Sequence, residues 1–243
     1  MINLLMSEAN FDATWAYPIL SELIRPEAHV LIMPLSYDEG WSSDNEDWDV
    51  RYQKGSRHYE KIMAPFRNYR IPDSSVVWFD QYRETTDTAI RKIQDADIIF
   101  LTGSNPDHMM LKIQELKIAE ALLCFDGIII GDTYGSAIMM DRFDSLYEWE
   151  DEERNGLGLL RGFALESNYV EDESHLKRLI HDIEVKGKAV FAYPKNGGVL
   201  IMDGHYELLG DAFTCTEADL DTIYHAYEDA KSRQDYYGDN GNW

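Results

Sequence analysis

Short, nearly unbroken apolar runs recur along this chain with a helix-length stretch between them, and that alternation limits the fold more than any other feature. The runs cover residues 2–6, 29–34, 75–79, 97–101 and 127–131 and are rich in Ile, Val, Leu and Met. A strand that is apolar on both faces must be covered on both sides, which is the condition of a parallel sheet between helical layers. Between the runs, 11–24 carries Trp15, Ile19, Leu20 and Leu23 on one face, 49–66 is long and mixed, and 86–96 opens with Thr86 and Asp87. Right-handed crossovers then lead to an α/β fold: a three-layer, doubly wound, mainly parallel, flavodoxin-like sandwich.

The pattern changes after Met140. Residues 141–153 are acidic and aromatic and read as an exposed excursion, and the chain resumes at Leu157-Gly158-Leu159-Leu160. A helix over 173–184, strands over 189–193 and 199–202, and a return strand over 205–209 after the Asp203-Gly204 turn predict some antiparallel strands in the C-terminal part. The last helix, 217–231, sets Leu220, Ile223, Tyr224 and Tyr227 on one stripe behind the capping candidates Thr214 and Thr216. Residues 1–231 thus read as a single domain, and 232–243, which contain no aliphatic residue, as a mobile tail.

With 44% hydrophobic residues the chain can bury a full core. Its 45 acidic against 22 basic residues give a net charge of −23, which repels nucleic acid phosphates and anionic membrane surfaces and argues against both as partners. The absence of a long apolar run or a basic leader predicts a cytoplasmic protein. Cys124 and Cys215 read as reduced thiols in or near the core. No metal or cofactor is expected: Asp107 with His108, and Asp203 with His205, lack further ligands, and Asn196-Gly197-Gly198 does not open a helix as a phosphate loop does. Trp41, Trp48 and Trp149 lie in acidic segments and read as partly buried loop aromatics rather than a binding rim.

Residues 127–140 read as a buried strand that breaks at a tight turn and runs straight into a helix. That is the shape of a nucleophile elbow, which holds one side chain above the end of a sheet with backbone N–H groups aimed at a developing oxyanion. The apex is Thr133. A second strand end, Thr102-Gly103-Ser104-Asn105-Pro106, offers a glycine turn that could present an N–H toward it.

These two turns, followed by Gly156-Leu157-Gly158-Leu159-Leu160, Ser167-Asn168-Tyr169, Leu176-Lys177-Arg178-Leu179 and Tyr193-Pro194-Lys195-Asn196-Gly197, resemble the framework of the peptidase E and cyanophycinase family of serine hydrolases over most of the chain. The resemblance implies a class I glutamine amidotransferase-like fold. It places Gly103, Ser104, Asn105, Tyr134 and Gly135 around an oxyanion or ligand site. It sets Thr133 where the family has its nucleophilic serine, Asn168 where it has its histidine and Lys195 where it has its acidic residue.

An amide side chain has no useful basicity near neutral pH, and a lysine repels an imidazolium instead of stabilising it. A β-branched residue also fits poorly at a strained apex. The expected protein is therefore an inactive or very weak member of a serine hydrolase family that binds a small peptide, an amino-acid-like ligand or a protein partner, as a monomer or homodimer. The rival expectation is a hydrolase of small acidic peptides or amides that uses Thr133 with a non-standard base. His108 and Lys195 are candidates for that base; His175 is another, although it reads as a solvated helix residue. Ser136 is an alternative nucleophile that the Gly131–Gly135 register disfavours. A third expectation makes the acidic excursion 141–153 an interaction surface.

Overall fold

The computed structural model describes residues 1–36, 45–145 and 153–238. Its first half alternates strands and helices: β1 (Ile2–Met6), α1 (Tyr17–Leu20), β2 (Val30–Pro34), α2 (Asn45–Tyr52), α3 (Arg57–Asn68), β3 (Val76–Trp78), α4 (Thr86–Gln94), β4 (Ile98–Thr102), α5 (Pro106–Glu115), α6 (Ala119–Leu123), β5 (Ile128–Asp132) and α7 (Tyr134–Met139). The second half holds β6 (Arg142–Asp144), β7 (Glu153–Asn155), β8 (Phe163–Ser167), α8 (Glu173–Glu184), β9 (Ala189–Tyr193), β10 (Gly197–Met202), β11 (His205–Gly210), β12 (Phe213–Cys215) and α9 (Leu220–Gly238).

Seven strands form the central sheet in the order β11-β10-β1-β5-β4-β2-β3. The run from β1 to β3 is parallel, while β10 joins β1 and β11 antiparallel. Alternate residues of the same strands feed two cores. Leu5, Leu31, Ile99, Leu101 and Ile129 face α4 to α7, whereas Leu4, Met6, Ile32, Phe100 and Ile130 face α1 to α3. On that second face Phe11 meets Phe66 edge-on, with ring centroids 5.0 Å apart; burying each such ring stabilises the fold by about 1.5–3 kcal/mol. A smaller sheet, β12-β9-β8, is backed by α8 and α9 through Leu176, Leu179, Val190 and Ile223. The sandwich is the α/β fold expected, with the antiparallel strands where the sequence put them. No helix among the described residues is long and apolar enough to cross a membrane.

Several local expectations are corrected. The segment 11–24 is helical only over Tyr17–Leu20, because Pro18 cannot donate and Pro26 closes the stretch; turns make up the rest. The segment 49–66 is two helices, broken where Gly55 takes φ 90° and Ser56 caps α3 by accepting the Tyr59 N–H at 3.1 Å. Within the excursion 141–153, Arg142–Asp144 and Glu153–Asn155 pair as antiparallel strands, and 146–152 lie outside the described residues. The last helix passes Lys231 and runs to Gly238, since Ser232, Arg233 and Gln234 contain no breaker; 239–243 lie outside the described residues. Cys124 is exposed and only Cys215 is buried, its thiol pushed up to about 11 by burial. Trp48 is buried beside Tyr52, with ring centroids 5.5 Å apart, while Trp41 and Trp149 lie outside the described residues.

Candidate functional site

The carboxyl ends of β1, β4 and β5 converge at Thr133. Its backbone sits at φ 40°, ψ −97°, a conformation that a β-branched residue adopts only under constraint. The constraint is visible on both sides. The Thr133 N–H donates to the Met6 carbonyl at 2.6 Å, and a Cβ on Gly135 would lie 2.0 Å from the Leu101 carbonyl oxygen. Ser136 is fully buried; its hydroxyl accepts the Met6 N–H at 3.1 Å and donates to the Gly131 carbonyl at 2.7 Å. Ser136 therefore ties the elbow to the sheet and does not face the site.

The Thr133 hydroxyl donates to the Ser7 carbonyl at 2.6 Å, and the Asn168 side-chain amide donates to the Thr133 oxygen at 3.3 Å. Asn168 adopts φ 55°, a left-handed conformation that asparagine tolerates well. Its N–H is taken by the Ser7 hydroxyl at 2.8 Å, and that hydroxyl donates to the Tyr193 carbonyl at 3.0 Å. Thr133 and Asn168 thus stand together. Lys195 does not join them: its exposed ammonium pairs with Glu8 at 3.1 Å, and its carbonyl accepts from Asn10.

The Gly103-Ser104-Asn105 turn also departs from expectation. The N–H groups of Ser104 and Asn105 both donate to the Ser36 hydroxyl at 2.9 Å, and the Asn105 side chain caps α5 by accepting the His108 N–H at 3.0 Å. Gly103 packs so closely that a Cβ would lie 2.5 Å from the Ser36 hydroxyl oxygen. The N–H groups of Tyr134, Gly135 and Ser136, in the first turn of α7, have no partner among the described residues, and Tyr134 is the one of the three that lines the cavity. His108 lies outside the cavity lining. Just before the apex, Asp132 accepts from the Thr102 hydroxyl at 3.0 Å through one oxygen, while the other is buried without a partner among the described residues. Burial pushes this carboxyl up to about 7, against the opposing pull of the Thr102 hydrogen bond and the Lys61 charge.

Beside the elbow lies a cavity of about 480 Å³, bounded by Thr133 and Tyr134, by Asn168 at the end of β8, and by His175 and Arg178 on α8. A volume of this size accommodates a small ligand. Its floor is Glu166, a buried carboxylate gripped by Arg178 through Nε at 3.0 Å and Nη2 at 2.8 Å. His175 reaches the same carboxylate through Nδ1, and its side chain is only 16% exposed, which corrects the reading of a solvated helix histidine. Asp172 caps α8 by accepting the His175 N–H at 2.9 Å and so brings the helix start against β8. The same Nδ1 also lies 2.9 Å from Arg178 Nη2, so the imidazole is packed between the carboxylate and the guanidinium that grips it.

Sequence reasoning missed Ser7 and Glu166. Glu166 carried a signal: an acid in the otherwise largely apolar run Phe163-Ala164-Leu165-Glu166-Ser167, two residues before Asn168.

No protein-family model matches the chain, and no curated protein matches it. Among solved structures, it is similar to a candidate peptidase E protein from Listeria monocytogenes EGD-e, with TM-score 0.61 and 14% identity over 85% of this chain and 96% of that one. It is also similar to a peptidase from an acI-B1 actinobacterium, with TM-score 0.58 and 12% identity over 88% of this chain and 93% of that one. What is shared at so low an identity is the arrangement of the sheet and its covering helices, and the fold of this chain is peptidase E-like.

Proposed function

We propose that the cavity beside the elbow binds a small peptide or amino-acid-like ligand, and that Thr133 does not serve as the nucleophile of a serine-type peptidase. The observation that carries this reading is the direction of the hydrogen bonds at the apex. The Thr133 proton goes to a backbone carbonyl, and Asn168 donates where a base would accept. Without a base, roughly 10²- to 10⁴-fold of rate enhancement is missing. The unpartnered Tyr134 N–H beside the cavity is then a donor for the ligand's carboxylate or carbonyl.

The test is labelling by a fluorophosphonate probe, which phosphonylates active hydroxyl nucleophiles with loss of fluoride, run on the wild type and Thr133→Ala. Equal, background labelling of both is expected. Wild-type labelling that disappears in Thr133→Ala would overturn the proposal. A gain of labelling in Thr133→Ser combined with Asn168→His would attribute the silence of the site to the missing base.

One observation favours a second reading. His175, held against Glu166 and Arg178, lines the same cavity as Thr133. If His175 supplies the base to a bound substrate, hydrolysis of small acidic peptides by the wild type should vanish in both Thr133→Ala and His175→Gln.

A further inference from the structure

The central sheet ends in two unlike edges. β3 is three residues long, whereas β11 presents six, in unbroken one-to-one register with β10 and without the proline, lysine or bulge that shields many edges. The direction of its main-chain groups follows from bonds across the sheet. The Ile2 N–H goes to the Gly127 carbonyl at 2.9 Å and the Met6 carbonyl takes the Thr133 N–H, so the even-numbered residues of β1 face β5, and Asn3 and Leu5 face β10. Asn3 and Leu5 stand opposite Ile201 and Val199, which leaves Leu200 and Met202 to bond Glu207 and His205 of β11. The two-residue turn Asp203-Gly204, with φ 52° and 77°, closes on the same Met202–His205 pair. No residue of β1, of β10 or from 205 to 209 has positive φ, so the alternation is unbroken and Tyr206 and Leu208 point their N–H and C=O off the sheet. Neither main chain meets a partner there among the described residues.

The two faces beside this edge differ in chemistry. On one, Tyr206 is 56% exposed and sets its ring against Phe191, with centroids 4.7 Å apart, and Leu208 packs on the same core as Leu5. The other carries His205 and Glu207, both exposed, and exposed Asp203 and Asp211 bracket the strand. Glu207 and Asp203 have no ionic partner among the described residues. A second copy of the chain fits this pattern poorly. The two-fold register that pairs Tyr206 with Leu208 of the other copy sets the two Glu207 carboxylates face to face, on chains that each carry a net charge of −23. A strand of alternating basic and apolar residues fits it well. Residues directly opposite one another share a face, so those that bond Tyr206 and Leu208 lie on the apolar side, and the one between them stands opposite Glu207.

We propose that β11 is a docking edge for an extended segment of a partner protein in which lysine or arginine alternates with apolar residues, and that this segment adds antiparallel as an eighth strand of the central sheet. Main-chain bonds to Tyr206 and Leu208 hold the segment. Glu207, with Asp203 and Asp211 at the two ends, selects its charge. No residue of β11 lines the cavity beside the elbow, so the docking edge is independent of what that cavity binds.

The test titrates the full ¹⁵N-labelled chain with the peptide acetyl-Lys-Val-Lys-Val-Lys-amide, with the same peptide N-methylated at both valines, and with its Glu-Val counterpart. With the first peptide, amide exchange at Tyr206 and Leu208 is expected to slow about tenfold, while Glu207 and Leu209, already bonded to β10, stay unchanged. The N-methylated peptide carries the same charge and should give no protection, and neither should the acidic one. Glu207→Lys changes an exposed side chain, and should weaken the basic peptide about fivefold and admit the acidic one. If that variant fails to fold, the N-methylated peptide still decides. Shifts scattered over the acidic surface without slowed exchange at Tyr206 and Leu208 would overturn strand addition in favour of plain charge attraction. Equal protection by the basic and acidic peptides would overturn the assigned partner chemistry, and no response to any peptide would overturn the proposal outright. Protection of Tyr206 and Leu208 that grows with protein concentration alone would overturn it by assigning the edge to a second copy of the chain.

Discussion

The side-chain amide of Asn168 lies 3.3 Å from the hydroxyl oxygen of Thr133 and donates to it, while that hydroxyl is bonded to the Ser7 carbonyl at 2.6 Å. Each interaction in the chain is a donation away from Asn168, so the apex oxygen is held in one orientation by two fixed partners. A nucleophile needs the opposite polarity, with its proton directed at a group that can keep it. The geometry favours a stable anchor over a reactive one.

Backbone strain at the apex is measurable. Thr133→Gly keeps φ 40° without steric cost, whereas Thr133→Ala keeps the cost and loses the Ser7 bond. In urea denaturation the glycine variant should be more stable than the alanine variant by about 1 kcal/mol. The reverse order would show that the apex is relaxed.

Gly135→Ala should be severe. Its new Cβ would sit 2.0 Å from a backbone oxygen of β4, which cannot move without breaking the sheet. A loss of about 3 kcal/mol or more is expected by denaturant titration; a loss below 1 kcal/mol would mean that α7 can lift away from β4.

Asp132 gives a pH dependence of a definite sign. Its folded-state carboxyl is raised from 3.8 to about 7, so between those values the folded chain holds a proton that the unfolded chain has released. The resulting stabilisation of the native state is fully present below about 4 and is lost as pH rises through about 7. Asp132→Asn cannot titrate. The stability gap between variant and wild type should therefore shift in favour of the variant, on the order of 2 kcal/mol, between pH 5 and pH 8. A gap that is flat with pH would refute the assignment.

Glu166→Gln leaves Arg178 and His175 without their anion. Because the arginine is half exposed, a loss of about 2 kcal/mol in thermal unfolding is expected rather than the larger cost of a fully buried pair. Arg178→Met in the same background should add less than it costs alone, the sign of coupled residues.

The sheet was legible because strands such as Val30–Pro34 are apolar throughout, so burial on both faces leaves a continuous signature. β8 was not, since Phe163-Ala164-Leu165-Glu166-Ser167 lacks β-branched residues and owes its conformation to pairing with β9. At the site, the elbow could be read from Gly131, Thr133 and Gly135, whose spacing is a local property. The position of Lys195 could not, because its direction depends on Glu8, far away in sequence. His175 was misread for a related reason: a helix periodicity shows which residues share a face, but only the Asp172 cap and β8 decide what that face meets.

Ser7, at the end of β1, binds Thr133 through its carbonyl, and Asn168 and Tyr193 through its hydroxyl. During synthesis it leaves the ribosome well ahead of all three. Its strand waits for β5 on one side and β10 on the other before it has both neighbours. Contacts so distant in sequence form late and slowly. The pocket thus needs β1, β5 and the β8–β9 pair all in place before Ser7 has its partners. A spectroscopic probe placed at Tyr134 should therefore report the joining of these distant segments instead of the maturation of one turn.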